Sequence, residues 1–256
     1  MTSIINIAGY KFIILDNLVA LKTEFSAFCR ENDLTGTVLL SVEGINLNLS
    51  GEVAKIISFK KHLLAKTAFS DMTFRESYSQ TVSFKRLKIK IKPEIITFKN
   101  KAIRAHEASA PRLSPAELKQ WLDENKEMTL LDTRNDFEVR FGTFKQAINL
   151  KIADFTEFNK AATSLKKDKP IVMFCTGGIR CEKASLHLLN LGHKEVYQLD
   201  GGILNYFKEI GEEYYQGDCF VFDERIALDA KLQSTKTKQC TRCFGPLTTV
   251  CTTCLS

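Results

Sequence analysis

The sequence lacks the residues that build several common kinds of active centre. It holds four histidines, His62, His106, His187 and His193, and no two stand at HxH or HxxxH spacing. A histidine–carboxylate iron site is therefore not visible. There is no GxxxxGK[ST] loop and no GxGxxG, so no organic cofactor is evident. No apolar run approaches the roughly 18–20 residues of a membrane-spanning helix, and no membrane partner is expected. The opening stretch MTSIINIAGYKF has no charged n-region, apolar core or small-residue cleavage site, so a cytoplasmic protein is expected. That absence bears on the eight cysteines. In a reducing compartment they are thiols, metal ligands or redox groups rather than a disulfide framework.

What is present suits two domains. The chain has 256 residues, 44% hydrophobic and 26% charged, with a modest net charge of +6, enough for each half to bury a core. Residues 4–15 are apolar and β-rich, and Leu18, Leu21, Phe25, Phe28 and Cys29 recur at helical spacing. TGTVLLSVEGINLNLSG reads as two strands around a Glu43-Gly44 turn, and Val53, Ile56, Ile57 and Leu64 supply a second helix. TVSFKRLKIKIK alternates and is taken as the final strand. The order β-α-β-β-α-β predicts a ferredoxin-like (acylphosphatase-like) α+β domain over 1–98. A polar linker follows over 99–112. Ser114, Pro115 and Glu117 then form a helix start with a capping box. Strand-like MTLLDT, QAINL, KPIVMF and EVYQLD alternate with helical stretches, which predicts an α/β domain with a largely parallel sheet over 113–215. A cysteine-rich extension occupies 216–256.

The chemistry gathers at CTGGIRC, Cys175 to Cys181, between the apolar strand KPIVMF and a helix. A helix start presents unpaired N–H groups and partial positive charge, which lower the pKa of a thiol held there. Gly177 and Gly178 let the loop amides of Thr176 through Ile179 turn inward as a nest for an anion, and Arg180 closes the loop with a planar positive fork. Four residues separate Cys175 from Arg180. Tyrosine-phosphatase-like loops have five and are sized for phosphate, whereas the active-site loop of rhodaneses has four and its cysteine carries a persulfide. Cys181 is open to two readings, a resolving thiol or a small core residue.

LLDTRNDFEVRFGTFKQAINL resembles the rhodanese segment with an Asp-x-Arg pair, here Asp132 and Arg134, followed by Glu138, Gly142 and Ala147. Thr143 stands where many rhodaneses have histidine. Asp132 and Arg134 either support the site or only brace the fold by an ion pair. LDGGI, Leu199 to Ile203, resembles the glycine pair after the next rhodanese strand.

Two further features lie outside the loop. FKRLKIKIK puts Arg86, Lys88, Lys90 and Lys92 on one face of a strand at roughly 7 Å spacing. Such a stripe is either a solvated edge or a match to a phosphate backbone, extended by Lys101 and Arg104. The tail reads Cys240-x2-Cys243-x7-Cys251-x2-Cys254. Four thiolates fit a structural zinc site in type and number, with redox dithiols or an unligated tail as the alternatives.

Taken together, GTVLLSVEGINLNLSG, FKRLKIKIKPEIITF, MFCTGGIRCEKAS, LDGGILNY and GDCFVFDERIAL resemble the bacterial rhodanese-domain family of tRNA uridine(34) hydroxylases over nearly the whole chain. The tail is shorter than in many relatives. The resemblance implies oxygen-dependent conversion of the wobble uridine to 5-hydroxyuridine. Molecular oxygen is then co-substrate, the tRNA anticodon loop is partner, and Cys175 is the active-site cysteine. The electron donor is unknown. In one chemical route the Cys175 thiolate adds to uridine C6, with Arg180 and the loop amides stabilising the enolate; a persulfide or sulfenic acid at Cys175 is the competing species. The alternative function is a rhodanese-type sulfurtransferase. It explains the loop but neither the first domain nor the basic strand. A non-catalytic RNA-binding module is disfavoured because Cys175 and Arg180 are intact.

Overall fold

The structure, a computed structural model, describes residues 4–247 and 254, and the chain divides into two compact units. Unit one comprises 1–97 and 104–107, unit two 98–103 and 108–256. No helix among the described residues is long and apolar enough to cross a membrane.

Unit one runs β1 (Ile4–Phe12), α1 (Leu18–Glu31), β2 (Thr35–Ser41), β3 (Gly44–Glu52), α2 (Val53–Leu64), β4 (Arg75–Ser79) and β5 (Leu87–Ile91). Its sheet has the order β4-β1-β3-β2-β5. The first four strands have the ferredoxin-like arrangement, but the strand predicted to close it does something else. RESYS, Arg75–Ser79, pairs antiparallel with β1 as the fourth strand, and LKIKI is a fifth, parallel to β2 at the far edge. The β3 register explains Gly44, at φ +144°, where a Cβ would lie 2.0 Å from the Lys11 carbonyl oxygen. Phe25 and Cys29 of α1 and Ile56, Phe59 and Leu63 of α2 fill the core with Ile5, Ile7, Val38, Leu47 and Leu49. Each such side chain contributes about 1.5–3 kcal/mol when fully buried. Ile57, expected on the buried face, is 43% exposed, because the stripe 56-59-63 turns it outward. The SVEGIN segment also anchors the chain beyond β5: Ser41 donates to the Pro93 carbonyl, Asn46 donates to that of Ile95, and Glu43 accepts from the Ile95 amide.

Unit two runs β6 (Arg112–Leu113), α3 (Pro115–Asp123), β7 (Thr129–Asp132), α4 (Asp136–Val139), β8 (Gly142–Phe144), β9 (Ile148–Asn149), α5 (Phe158–Ala161), β10 (Ile171–Phe174), α6 (Ile179–Asn190), β11 (Val196–Leu199) and α7 (Gly202–Glu209). The short pairs β12 (Tyr215–Gly217), β13 (Cys219–Phe220), β14 (Ala227–Leu228), β15 (Lys238–Gln239) and β16 (Pro246–Leu247) follow. The main sheet, β6-β11-β10-β7-β9, is parallel throughout. The capping box at Ser114 forms: its hydroxyl accepts from the Glu117 amide while Glu117 accepts from the Ser114 amide. β10 is buried along its whole length, as a central parallel strand should be. Beyond it the chain enters the Cys175 loop. β12 crosses the boundary expected at residue 215 and pairs with β8, so the extension begins as part of this unit.

Candidate active site

Strand β10 delivers Cys175 to the N-terminus of α6, at the carboxyl end of a parallel sheet where open α/β folds bind ligands. Its thiol is 1% exposed. The Gly178 amide donates to Cys175 Sγ at 3.1 Å, and the Arg180 amide donates to the same atom. Burial alone would push the thiol up. The Cys181 thiol, the Arg180 charge and the two amides outweigh it and hold Cys175 well below the usual thiol range. Cys181, fully buried, is pushed the other way by burial and by its neighbour's negative charge. Cys181 thus keeps its proton and gives a hydrogen bond to the Cys175 thiolate, with the Thr133 hydroxyl 3.7 Å from its own sulfur.

A pH series reads this directly. Thiolate ultraviolet absorbance, taken as wild type minus Cys175→Ala, is expected to titrate at about 5, against ~8.5 for an unperturbed cysteine. The shift is downward, so the thiolate exists above the midpoint and is lost as pH falls through it. In Cys181→Ala the midpoint moves up; an unmoved one would show that Cys181 does not act on the sulfur.

Arg180 does not present its fork to the loop. Both its Nη atoms donate to Glu138, at 2.6 and 2.7 Å, and both side chains are buried. Its charge still favours the thiolate, but the guanidinium is a structural clasp between α6 and α4. Glu138 is also held by the Asn135 amide. Sequence reasoning marked Glu138 but missed this pairing across 42 residues, for which no local signal exists.

Asp132 and Arg134 form a second clasp, with both side chains at 0% exposure. Asp132 accepts from the Arg134 amide, Nε and Nη2. Arg134 Nη2 also donates to the Gly142 carbonyl. Thr143, the departure from the usual histidine, donates its hydroxyl to Asp132 at 2.8 Å. The pair braces the turn that carries Gly142 and Thr143.

The glycine pair after β11 shapes the loop from the other side. The amides of Ile203 and Leu204 donate to the carbonyls of Cys175 and Thr176. Gly202 sits at φ +66°, and a Cβ there would lie 2.4 Å from the Cys175 carbonyl oxygen. At Gly177 an added Cβ would meet nothing within 4 Å, so the loop has an open side.

Sequence reasoning also missed the aromatic wall beside the loop. The Thr176 hydroxyl points to the Phe220 carbonyl at 3.4 Å. The Phe220 ring lies 5.0 Å from that of Phe222 and 5.1 Å from that of Phe137, which precedes Glu138 on α4. Phe222 is 64% exposed. The FVFDERIAL segment holds this wall through an Asp223–Arg225 ion pair in the β13–β14 turn.

Of the predicted cations, Arg86, Lys88, Lys90, Lys92 and Arg104 belong to unit one and Lys101 to unit two. Lys88 and Lys90 are on β5, Arg86 and Lys92 flank it, and none of the four makes an ion pair among the described residues. Leu87 and Ile89 pack on the core from the opposite face. Arg104 is paired with Glu107 at 2.9 Å. Of the tail cysteines, Cys240, Cys243 and Cys254 come together; Cys251 lies outside the described residues.

The fold and the loop define a rhodanese-like protein with an acylphosphatase-like first domain. Family models agree: the UPF0176 acylphosphatase like domain matches residues 4–95 and the Rhodanese-like domain residues 114–209. A tRNA uridine(34) hydroxylase of Cupriavidus necator is 47% identical over 253 residues, covering 96% of this chain and 90% of the relative. Those of Ralstonia nicotianae and Bordetella petrii are 46% and 47% identical, covering 96% and 91% of this chain and 90% and 95% of theirs. The chain belongs to the tRNA uridine(34) hydroxylase family.

Proposed function

We propose that this chain uses Cys175 to convert the wobble uridine of tRNA, in the anticodon loop, to 5-hydroxyuridine with dioxygen as oxidant. The observation that carries the reading is a buried cysteine stabilised as thiolate, in a loop open at Gly177 and flanked by a phenylalanine wall whose outer ring, Phe222, is exposed. A base taken out of its stack needs an aromatic or apolar face against it, and Phe222 offers one. The names of the relatives supply the substrate and the reaction.

The thiolate adds to C6 and leaves C5 as an enolate carbon. Dioxygen joins C5 and, with one proton, gives a hydroperoxide. Two thiol equivalents, oxidised to a disulfide, supply two electrons and two protons, leaving C5–OH and water. Loss of the C5 proton then expels Cys175 and restores the ring. Because Glu138 holds the Arg180 fork, Arg180 acts here on the sulfur and not on the uracil oxygen. The same amide cradle suits a persulfide, so thiosulfate–cyanide turnover is the test for the sulfurtransferase alternative.

The four cations on and beside β5 support contact with the tRNA backbone. Replacing Arg86, Lys88, Lys90 and Lys92 by alanine is expected to weaken tRNA binding and flatten its salt dependence, by roughly one in log–log slope per lost phosphate contact. An unchanged slope would assign the stripe to solvation alone. The reading as a whole is tested by nucleoside analysis of tRNA from a deletion strain carrying this chain, with parallel hydroxylation routes blocked. Recovery of 5-hydroxyuridine-derived nucleosides supports it; their continued absence overturns it.

A further inference from the structure

The cysteines outside the catalytic loop gather at the end of the chain. The sulfurs of Cys240, Cys243 and Cys254 all lie within 4.8 Å of one another, and Cys240 and Cys254 are 3.8 Å apart. Zinc–sulfur bonds of ~2.3 Å at tetrahedral angles put neighbouring sulfurs ~3.8 Å apart. The cluster therefore has metal-site dimensions, or needs a contraction of about an ångström to reach them. Cys251 supplies a fourth thiol in the sequence pattern.

The backbone around the first pair is that of a metal knuckle. β15 and β16 pair antiparallel and bring the chain back across Cys240–Gly245. The Cys240 amide donates to the Gly245 carbonyl and the Phe244 amide to the Cys240 carbonyl. Within the turn the Arg242 amide approaches Cys240 Sγ at 3.4 Å and donates to it. Amide donation to sulfur favours a thiolate. Three thiolates around a divalent ion carry one excess negative charge, and a cation is in place to offset it. Arg140 Nη1 donates to Cys243 Sγ at 3.6 Å, and Nη2 to the Cys243 carbonyl at 2.7 Å.

We propose that Cys240, Cys243 and Cys254 hold one structural zinc ion, and that this knuckle clamps the C-terminal segment onto α4. Arg140 directly follows α4, and the Phe244 ring lies 6.2 Å from that of Phe137 on the same helix. α4 also carries Glu138, the clasp for Arg180. The zinc thus stands at one end of a chain of contacts, Cys243–Arg140–α4–Glu138–Arg180, whose other end is the Cys175 sulfur. The ion ties the tail to α4 through Cys243 and Arg140, so its role is to hold the tail in place, and its binding releases the protons of the thiols it takes.

The test uses the full chain and does not depend on the tRNA reading. Protein purified without chelator is expected to contain about one zinc per chain. After metal removal under reductant, cobalt(II) alone should give sulfur-to-cobalt charge transfer and the intense d–d bands of a tetrahedral thiolate site. A Cys240→Ser/Cys243→Ser double variant should lose both signals and Cys29→Ala should keep them. Zinc reloading should raise the melting temperature of the apo-protein. A reduced wild-type chain that gives no such cobalt spectrum overturns the proposal, and that result needs no variant to fold. A spectrum that persists in the double variant also overturns it.

Discussion

Cys175→Ala is expected to abolish 5-hydroxyuridine formation, by at least ~10³-fold, while leaving the protein folded and able to bind tRNA. The separation of effects follows from the structure. The sulfur is fixed by amides of its own loop, and the loop carbonyls are held by Ile203 and Leu204. The bonds from Ile203 and Leu204 do not involve the thiol and keep the backbone in shape without it. Alanine removes one buried sulfur and leaves the Arg180–Glu138 clasp intact. Circular dichroism and tRNA affinity close to wild type, with no modified base, are the expected combination. A variant that still hydroxylates would remove Cys175 from the mechanism.

Asp132→Asn should act on stability instead. The carboxylate and the Arg134 guanidinium are both at 0% exposure, and Asp132 accepts from Arg134, its amide and Thr143. The amide cannot neutralise the guanidinium, and one of its two atoms is a donor facing donors. Removing one partner of a buried pair costs about 3–5 kcal/mol, because the other charge stays behind. For a unit of this size the melting temperature should fall by roughly 6–20 °C. Calorimetry reads it, and a fall of under about 2 °C would show that solvent reaches Arg134.

How much of this was legible depended on the range of each interaction. The helix start at Ser114-Pro115-Glu117 and the buried strand before Cys175 are local matters of capping and hydrophobicity, and both formed as read. The loop followed from its glycines and from the interval between Cys175 and Arg180. The fourth strand of unit one was missed because RESYS is a weak pattern. It is an edge strand whose large apolar residue, Tyr78, is 51% exposed, whereas LKIKI alternates more cleanly. Alternation identifies a strand but not its neighbour, and only tertiary pairing put LKIKI beside β2. The Glu138 clasp and the Arg140–Cys243 contact, separated by 42 and 103 residues, have no signature that one sequence can show. The aromatic wall was hidden for a similar reason, since Phe137, Phe220 and Phe222 converge from two segments.

The most direct test of the account is to offer the purified chain a tRNA with 5-fluorouridine at position 34, under turnover conditions. Attack by the Cys175 thiolate on C6 should yield a covalent protein–RNA adduct that maps to Cys175 and is missing in Cys175→Ala. No adduct at Cys175, from a preparation that hydroxylates unmodified tRNA, would contradict the mechanism.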